Sequence, residues 1–283
     1  MSAPRSAAGI VERSGARRTP PRPPEPPEPE ELPSMSLLEH LEELRYRLSW
    51  VAGAVFVSFL SCWYFAREIY RFLEMPIRGF LPEGQRLVVL GVADAFLLYV
   101  KVALLTSLFV SAPVILYHLW RFVAPGLYRQ ERRYGLGFIV FGSLLFLAGG
   151  AFAYYVAFPY TVEFLLGVGS EFTLAITGAS YLSFLMTIIL GLALMFELPL
   201  VIFFLARVGV VTPRFLMRNF RWAVLIVFVV AAIITPTPDV FTLCLFALPT
   251  LGLYLLGVGV AALFGRPSWQ GSPEAGEAGE PAI

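Results

Sequence analysis

Residues 111–133, SAPVILYHLWRFVAPGLYRQERR, change from a long apolar run to a polar loop rich in arginine. This change is typical of a membrane helix that ends at the cytoplasmic interface. The loop holds one acid, Glu131, and three arginines flank it: Arg129, Arg132 and Arg133. The stretch therefore predicts a membrane protein. It leaves two interpretations of Glu131, an acid neutralised by its neighbours or a site for an external cation.

The composition of the 283-residue chain supports the same class. It is 58% hydrophobic and only 14% charged, with a mean hydropathy of +0.73. Soluble domains carry about 25% charged residues. The sequence predicts an all-α polytopic membrane protein, and we expect no nucleic-acid partner.

Several kinds of catalytic and metal site are excluded or disfavoured. Lys101 is the only lysine, so a GxxxxGK[ST] phosphate loop cannot form, and GxSxG and HExxH are absent. Cys62 and Cys244 lie in apolar runs and are interpreted as packing residues. His40 and His118 match no ligand spacing. We expect no metal, no cofactor and no enzymatic activity.

The sequence divides into three parts. Residues 1–34 are rich in proline and charge and predict a disordered tail. Residues 35–265 form the membrane domain, and 266–283 form a second disordered tail. The pair Arg17-Arg18 is not interpreted as an export signal, because PPRPPEPPEPEE rather than an apolar segment follows it.

The membrane domain begins with an amphipathic segment. Ser36 and Glu39 fit a helix capping box. Four leucines at helical spacing line one face: Leu37, Leu41, Leu44 and Leu48. Glu43 and Arg47 lie on the other. This segment is expected to lie on the membrane surface and to continue into the first span.

Six apolar runs predict six spans in a single bundle. They cover about 50–66, 95–119, 134–158, 181–206, 222–234 and 240–264. Proline is expected to stop the third at Pro159 and to bend the fourth at Pro199. The fifth is shorter than the ~20 residues that a crossing needs, which predicts local thinning of the bilayer.

The arginines predict the orientation. No Lys or Arg occurs between Arg133 and Arg207, which places the loop 159–180 outside. The arginine-rich loops 119–133 and 207–221 are then inside. Both termini are expected in the cytoplasm, and the protein in the cytoplasmic (inner) membrane.

The outer side is expected to carry the loop 67–94, in which arginines and glutamates are mixed. Lys101 follows this loop, near the start of the second span. Its long stem allows the amine to reach the outer interface.

Glu197 stands inside the fourth run, in LMFELPL. A carboxylate at membrane depth costs roughly 2.5–3.5 kcal/mol on insertion scales. Pro199 frees a backbone carbonyl, which favours a concavity open to water. Glu197 is either a functional carboxylate or a protonated structural one, and the first interpretation is favoured.

Glu43 and Glu131 also have two interpretations each. Arg47 follows Glu43 at the i,i+4 spacing of a surface pair that contributes a few tenths of a kcal/mol. However, both acids are predicted at the cytoplasmic face beside apolar surface. Two carboxylates there could receive two guanidinium groups in bidentate pairs, a geometry that suits lysine poorly. Phe122 and Leu127 would provide an apolar surface beside these carboxylates.

Six motifs resemble the TatC family and lie in order across about 36–264. They are HLEELRYRL (40–48), SAPVILYHLWRFVAPGLYRQERR (111–133), AFAYYVAFP (151–159), ASYLSF (179–184), FELP (196–199) and TPTPDVFT (235–242). The resemblance implies the receptor core of the twin-arginine translocase. Such a core has six spans in a concave, glove-like bundle and serves the export of folded proteins, driven by the proton-motive force.

The resemblance also implies partners. These are signal peptides with two consecutive arginines, single-span proteins of the TatA and TatB type, and further copies of the chain in the complex. On the matching positions, Glu43 and Glu131 would take the two arginines. Phe122 and Leu127 would complete the surface, and Arg45 belongs to the same helix motif.

Other matching positions are ones that the family uses for function or assembly: Pro76, Tyr154, Glu197 and Asp239. One departure concerns the start of the sixth helix, where many members carry a polar glutamine and this chain has Leu243. The adjoining motif also has an additional residue, Thr237. The polar contact with a partner helix is therefore expected to differ here, with Thr235, Thr237 or Thr242 as possible substitutes.

The residues leave two other functions open. A proton-coupled transporter of a small solute would use Glu197 and Asp239. Such transporters usually have two related halves, and the two halves of this sequence do not resemble each other. An intramembrane enzyme would need a Ser/His or Cys/His pair in one layer, which the spacing does not provide. The resemblance favours the translocase.

Overall fold

The computed structural model describes residues 37–81, 87–123, 135–171 and 175–264. The chain divides into a unit of residues 1–40 and a unit of residues 41–283. Of the first unit, only the opening turn of a helix is described. Both predicted tails and most of the loop around Glu131 lie outside the described residues.

The regular structure of the described residues is helical, apart from one isolated bridge between Val88 and Thr177. The prediction of an all-α membrane protein is confirmed. In chain order the helices are α1 (Leu37–Tyr64), α2 (Ala66–Arg78), α3 (Asp94–Val123), α4 (Gly135–Phe152), a π-helical segment (Ala153–Ala157), α5 (Phe158–Val168), α6 (Gly178–Phe196), α7 (Leu198–Val208), α8 (Pro213–Arg218), α9 (Phe220–Ile234) and α10 (Val240–Phe264).

Four stretches of the described residues are long and apolar enough to cross a membrane: 94–122, 135–168, 178–208 and 240–263. A fifth crossing results if α1 and α2, which are bent by 82° relative to each other, count together. The apolar helix α9 has only 15 residues. The predicted count of six spans stays a prediction.

The third apolar run does not stop at Pro159, and that prediction was wrong. The helix passes through the π-helical segment and continues as α5 to Val168. In the π-helical segment, the N–H of Phe158 donates to the carbonyl of Ala153, five residues back. Pro159 then falls in the first turn of α5, where a missing N–H is tolerated.

The predicted loops contain helices that were not expected. Helix α2 occupies much of 67–94, α5 extends into 159–180, and α8 lies within 207–221. The two connections on the side of α2 meet where Val88 donates to the carbonyl of Ile176 and accepts from Gly178, both at 3.0 Å. Helices α2 and α8 carry many charged residues and lack a long apolar run, so the search for apolar runs missed them, whereas α5 was missed because Pro159 was expected to stop the helix.

The core is organised around α6. Leu182, Leu185, Ile188 and Leu192 lie on this helix and are fully buried. Helix α4 packs closely against it, since a Cβ built on Gly149 would lie 2.8 Å from the Cα of Ala193. A larger residue at position 149 would push the two backbones apart.

Candidate functional site

The predicted recognition residues begin on α1. Glu43 and Arg47 form an ion pair one helical turn apart, between Oε1 of Glu43 and Nη2 of Arg47. Their side chains are 20% and 13% exposed. The other oxygen, Oε2, is buried and has no hydrogen-bond partner among the described residues. The surface pair expected from the spacing is therefore present, but it uses only half of the carboxylate.

Aromatic residues beside this pair link α1 to α3. The Trp50 ring stacks on the His118 ring with centroids 6.5 Å apart, and Tyr46 meets Trp50 edge-on at 6.2 Å. On α3, Arg121 donates to the hydroxyl of Tyr117 at 3.1 Å. These ring contacts join α3 to α1 at Trp50, three residues after Arg47.

The structure places only part of the predicted recognition set. Arg45 is exposed, and its carbonyl accepts a hydrogen bond from the Ser49 hydroxyl. Phe122 is half-buried in the last turn of α3. Leu127 and Glu131 lie outside the described residues, so their distance from Glu43 stays a prediction.

Glu197 lies where one membrane span is interrupted between α6 and α7. Both of its carboxylate oxygens are buried and lack a hydrogen-bond partner among the described residues. Pro199 follows at the start of α7, as the sequence predicted for a break in the helix. A Cβ built on Gly142 of α4 would lie 3.4 Å from Oε2, so α4 passes close to the carboxylate.

The carboxylate of Glu197 borders an apolar cavity of about 620 Å³. Its other lining residues include Leu108, Leu116, Phe138, Leu194 and Val201. Glu197 is the one ionisable residue among those that line it. A buried carboxylate without a donor is costly in such surroundings, which supports a functional role over a structural one.

Pro76 and Tyr154 are brought together by a carbonyl group. Pro76 lies within α2 and has no N–H to offer the carbonyl of Phe72, four residues earlier. The Tyr154 hydroxyl donates to that carbonyl at 2.5 Å. Tyr154 itself lies in the π-helical segment. These two predicted residues therefore position α2 on the bundle.

Asp239 caps the start of α10. Its Oδ1 accepts a hydrogen bond from the N–H of Thr242 at 2.6 Å. Burial, the largest single influence, raises the pKa of Asp239, but the hydrogen bonds that the carboxylate accepts, first among them that from the N–H of Thr242, together hold the pKa below its usual range. The atoms Oγ1 of Thr237 and Oδ2 of Asp239 are buried without a hydrogen-bond partner in the described parts of the chain. Leu243, which replaces the expected polar residue, is half-buried against the core.

Sequence reasoning missed some of the polar contacts between helices. The Tyr181 hydroxyl of α6 donates to the carbonyl of Leu73 at 2.5 Å, and Lys101 donates to the Ser183 hydroxyl at 2.9 Å. Tyr181 and Ser183 both stand in the motif ASYLSF, which was the available signal. No sequence pattern indicated the stacking of Trp50 on His118, because the two residues are far apart in sequence.

The described residues contain no group of three or more His, Cys, Asp or Glu that could hold a metal ion. Cys62 and Cys244 are free thiols. The arrangement offers carboxylates near apolar surface, which suits the binding of cationic groups.

Comparison with known proteins identifies the family. A family model described as Sec-independent protein translocase protein (TatC) matches residues 39–249. The protein of that name from Koribacter versatilis (strain Ellin345) is 44% identical, and the match covers 87% of this chain and 92% of the relative. The one from Escherichia coli (strain K12) is 41% identical, over 78% of this chain and 86% of the relative.

Solved structures agree with this comparison. A crystal structure of the twin arginine translocase receptor TatC is 35% identical, with a TM-score of 0.69, and the match covers 81% of this chain and 100% of that one. A second structure, in the detergent DDM, is 34% identical with a TM-score of 0.71, over 79% of this chain and 99% of that one. The chain belongs to the TatC family of multi-pass membrane proteins, which are subunits of the Sec-independent protein translocase.

Proposed function

We propose that this chain is the receptor subunit that binds twin-arginine signal peptides of folded proteins at its cytoplasmic face. It acts by binding rather than by catalysis and needs no cofactor. TatA- and TatB-type single-span proteins are its partners, together with further copies of the chain. The proton-motive force drives export across the cytoplasmic membrane, with both termini inside.

The observation that carries this proposal is the half-used carboxylate of Glu43. One oxygen is held by Arg47, and the other is buried without a donor from the described residues. A carboxylate accepts a guanidinium group in a bidentate manner, so the incoming arginine can displace Arg47 or share Glu43 with it. Partial burial of Glu43 and Arg47 strengthens this interaction by limiting the access of water.

Glu131 is proposed as the receptor for the second arginine. It lies eight residues after Val123, the last residue of α3, and α3 meets α1 through the stacking of Trp50 on His118. Phe122 and Leu127 provide the apolar surface next to it. Arg45 is exposed on α1, two residues after Glu43, and its place in the recognition set rests on the family motif.

Glu197 and Asp239 are proposed to serve a step after recognition. Glu197 borders an apolar cavity, and Asp239 caps α10 beside buried oxygens that lack donors in the described chain. Polar groups of this kind can receive a polar residue from the membrane helix of a partner. Because of Leu243, the threonines of the α9–α10 connection take the place of the usual amide in this contact.

The proposal is tested by export in a strain that lacks its own TatC. The chain, expressed with its own small partners, is expected to export a folded reporter that carries a twin-arginine signal. The same reporter with a twin-lysine signal is expected to stay in the cytoplasm. Export of both reporters, or of neither while the chain is stably inserted, would contradict the proposed function. Family membership gives no support to the rival function, transport of a small solute.

A further inference from the structure

Helix α2 has the geometry of an interfacial helix. It is bent by 82° from α1, so if α1 crosses the membrane, α2 lies along its surface. Ala66, Leu73 and Ile77 are buried against the bundle. Charged residues occupy much of the rest of the helix: Arg67, Glu68, Arg71, Glu74 and Arg78.

Three of these charges, those of Arg67, Glu68 and Arg71, have no ion-pair partner within the described residues. Glu74 is paired with Arg78 at 2.6 Å. Arg67 and Arg71 are exposed one turn apart and form no ion pair or hydrogen bond with another described residue. Like charges at the i,i+4 spacing repel each other. An anion between the two guanidinium groups would remove this repulsion.

An apolar groove of about 520 Å³ lies beside the same helix. It is bounded by α2, α3 and the α4 region, and its lining includes Phe72, Phe109, Leu147 and Tyr155. Phe72, Leu147 and Tyr155 are 43%, 49% and 66% exposed, so the groove is open along one side. Phe109 lies about 22 Å along α3 from its first residue, at the helical rise of about 1.5 Å per residue. The groove therefore extends from the interface into the hydrocarbon core.

Glu68 lines this groove and belongs to α2. It is exposed and forms no ion pair with a described residue. It follows Arg67 directly and precedes Arg71 by one turn, so all three charges lie within reach of one headgroup. The set offers two positive charges and one negative charge around the mouth of an apolar groove.

We propose that this region is a binding site for one phospholipid with a phosphoethanolamine headgroup. An acyl chain fills the groove, the phosphate lies between Arg67 and Arg71, and the primary ammonium group donates to Glu68. Arginine suits the phosphate because its planar guanidinium donates two parallel hydrogen bonds. The zwitterionic headgroup matches the charges better than an anionic phosphoglycerol group, which has no cation for Glu68.

The lipid class can be tested by native mass spectrometry of the full chain in detergent. Dioleoyl lipids with ethanolamine, glycerol and choline headgroups are added separately. We expect a saturable one-to-one adduct with the ethanolamine lipid, at least fivefold more populated than with the glycerol or the choline lipid. Glu68→Gln is expected to remove the preference for ethanolamine over glycerol, because the negative charge that pairs with the ammonium group is lost.

Two further variants test the other parts of the site. Arg67→Ala combined with Arg71→Ala is expected to lower adduct formation at least fivefold. Arg78→Ala is the matched control, since it removes an arginine of the same helix whose charge is already paired with Glu74. Ala151→Trp fills the groove from the α4 side and is expected to exclude all three lipids while leaving the charges in place.

Specific results would overturn the proposal. Adducts of equal population in the double arginine variant and the unmodified chain would exclude the phosphate site. A loss with Arg78→Ala as large as with the double variant would show a diffuse attraction to the charged helix instead. Unchanged binding in Ala151→Trp would place the lipid elsewhere, and this test stands even if an arginine variant fails to fold.

Discussion

The hydroxyl of Tyr154 donates a hydrogen bond of 2.5 Å to the backbone carbonyl of Phe72. That carbonyl stands four residues before Pro76, so the helix itself cannot satisfy it. The rings of Tyr154 and Phe72 are also stacked, with centroids 4.7 Å apart. Tyr181 donates to the next carbonyl, that of Leu73, at 2.5 Å. Two tyrosines of the bundle therefore bind the backbone of α2.

Tyr154→Phe is expected to lower the free energy of unfolding by about 1–3 kcal/mol, because it leaves the Phe72 carbonyl without a donor. The ring and its stacking on Phe72 are kept. Thermal unfolding in a non-ionic detergent measures the change. The control is Tyr155→Phe. Because Tyr155 is exposed, this variant should lower the free energy of unfolding much less.

A double-mutant cycle isolates the cause. Pro76→Ala restores a backbone N–H that can bind the Phe72 carbonyl within α2. In that background, Tyr154→Phe should cost clearly less than in the unmodified chain. Equal costs in the two backgrounds would mean that Tyr154 stabilises the protein by another route.

Arg47→Ala is expected to tighten the binding of a twin-arginine peptide severalfold. Arg47 occupies one oxygen of Glu43 and competes with the incoming guanidinium group. Fluorescence anisotropy of a labelled peptide with the purified chain measures the affinity. Weaker binding to this variant would show that Arg47 supports the peptide instead of competing with it.

A control separates competition from simple charge. Arg214→Ala removes an exposed arginine from α8, in a connection that we also expect at the cytoplasmic face. It should leave peptide affinity unchanged. If it tightens binding as much as Arg47→Ala, the effect comes from overall charge and not from the carboxylate of Glu43.

Glu197→Leu is expected to separate stability from function. It removes two buried oxygens that have no donor among the described residues, so the free energy of unfolding should stay level or rise by about 1 kcal/mol. Peptide binding should persist and export of a twin-arginine reporter should fall. Glu163→Ala, at an exposed position on α5, is the control. Loss of peptide binding in Glu197→Leu would move this residue into the recognition site.

The lowered pKa of Asp239 predicts how the stability of the fold depends on pH. Its pKa in the folded chain lies below its usual range, so its charge stabilises the fold at pH values above the unfolded pKa of about 3.9. The stabilisation is lost as pH falls through the lower folded pKa. Asp239→Asn keeps the cap but lacks the charge and should unfold a few tenths of a kcal/mol more easily at pH 7. The difference in the free energy of unfolding between the two proteins should therefore shrink as the pH falls below about 3.9. A difference that grows as the pH falls would contradict this assignment.

Much of the fold could be predicted because the membrane spans correspond to apolar runs of the sequence. The long run that contains Pro113 is helical as α3, and the break near Pro199 occurs at Glu197. The prediction that a helix stops at Pro159 was wrong, because a π-helical segment shifts the hydrogen bonds just before the proline and places it in the first turn of α5. That shift depends on packing of the surrounding helices and has no local sequence pattern.

The candidate site was predictable only in part. The i,i+4 spacing predicted the ion pair of Glu43 with Arg47, and both membrane position and Pro199 singled out Glu197. The contact of Tyr154 with Phe72 joins residues 82 positions apart, so no periodicity could indicate it. The arrangement of Glu131 relative to Glu43 depends on a loop outside the described residues, and the proposal for it rests on family membership.

Recognition of two guanidinium groups by two carboxylates is tested by comparing two peptides. The dissociation constants of a twin-arginine signal peptide and its twin-lysine counterpart are measured with the purified chain. We expect at least tenfold weaker binding of the twin-lysine peptide, about 1.4 kcal/mol, because ammonium groups cannot form the bidentate pairs. Glu43→Gln should remove most of this difference. Equal affinities of the unmodified chain for the two peptides would show that no bidentate recognition takes place.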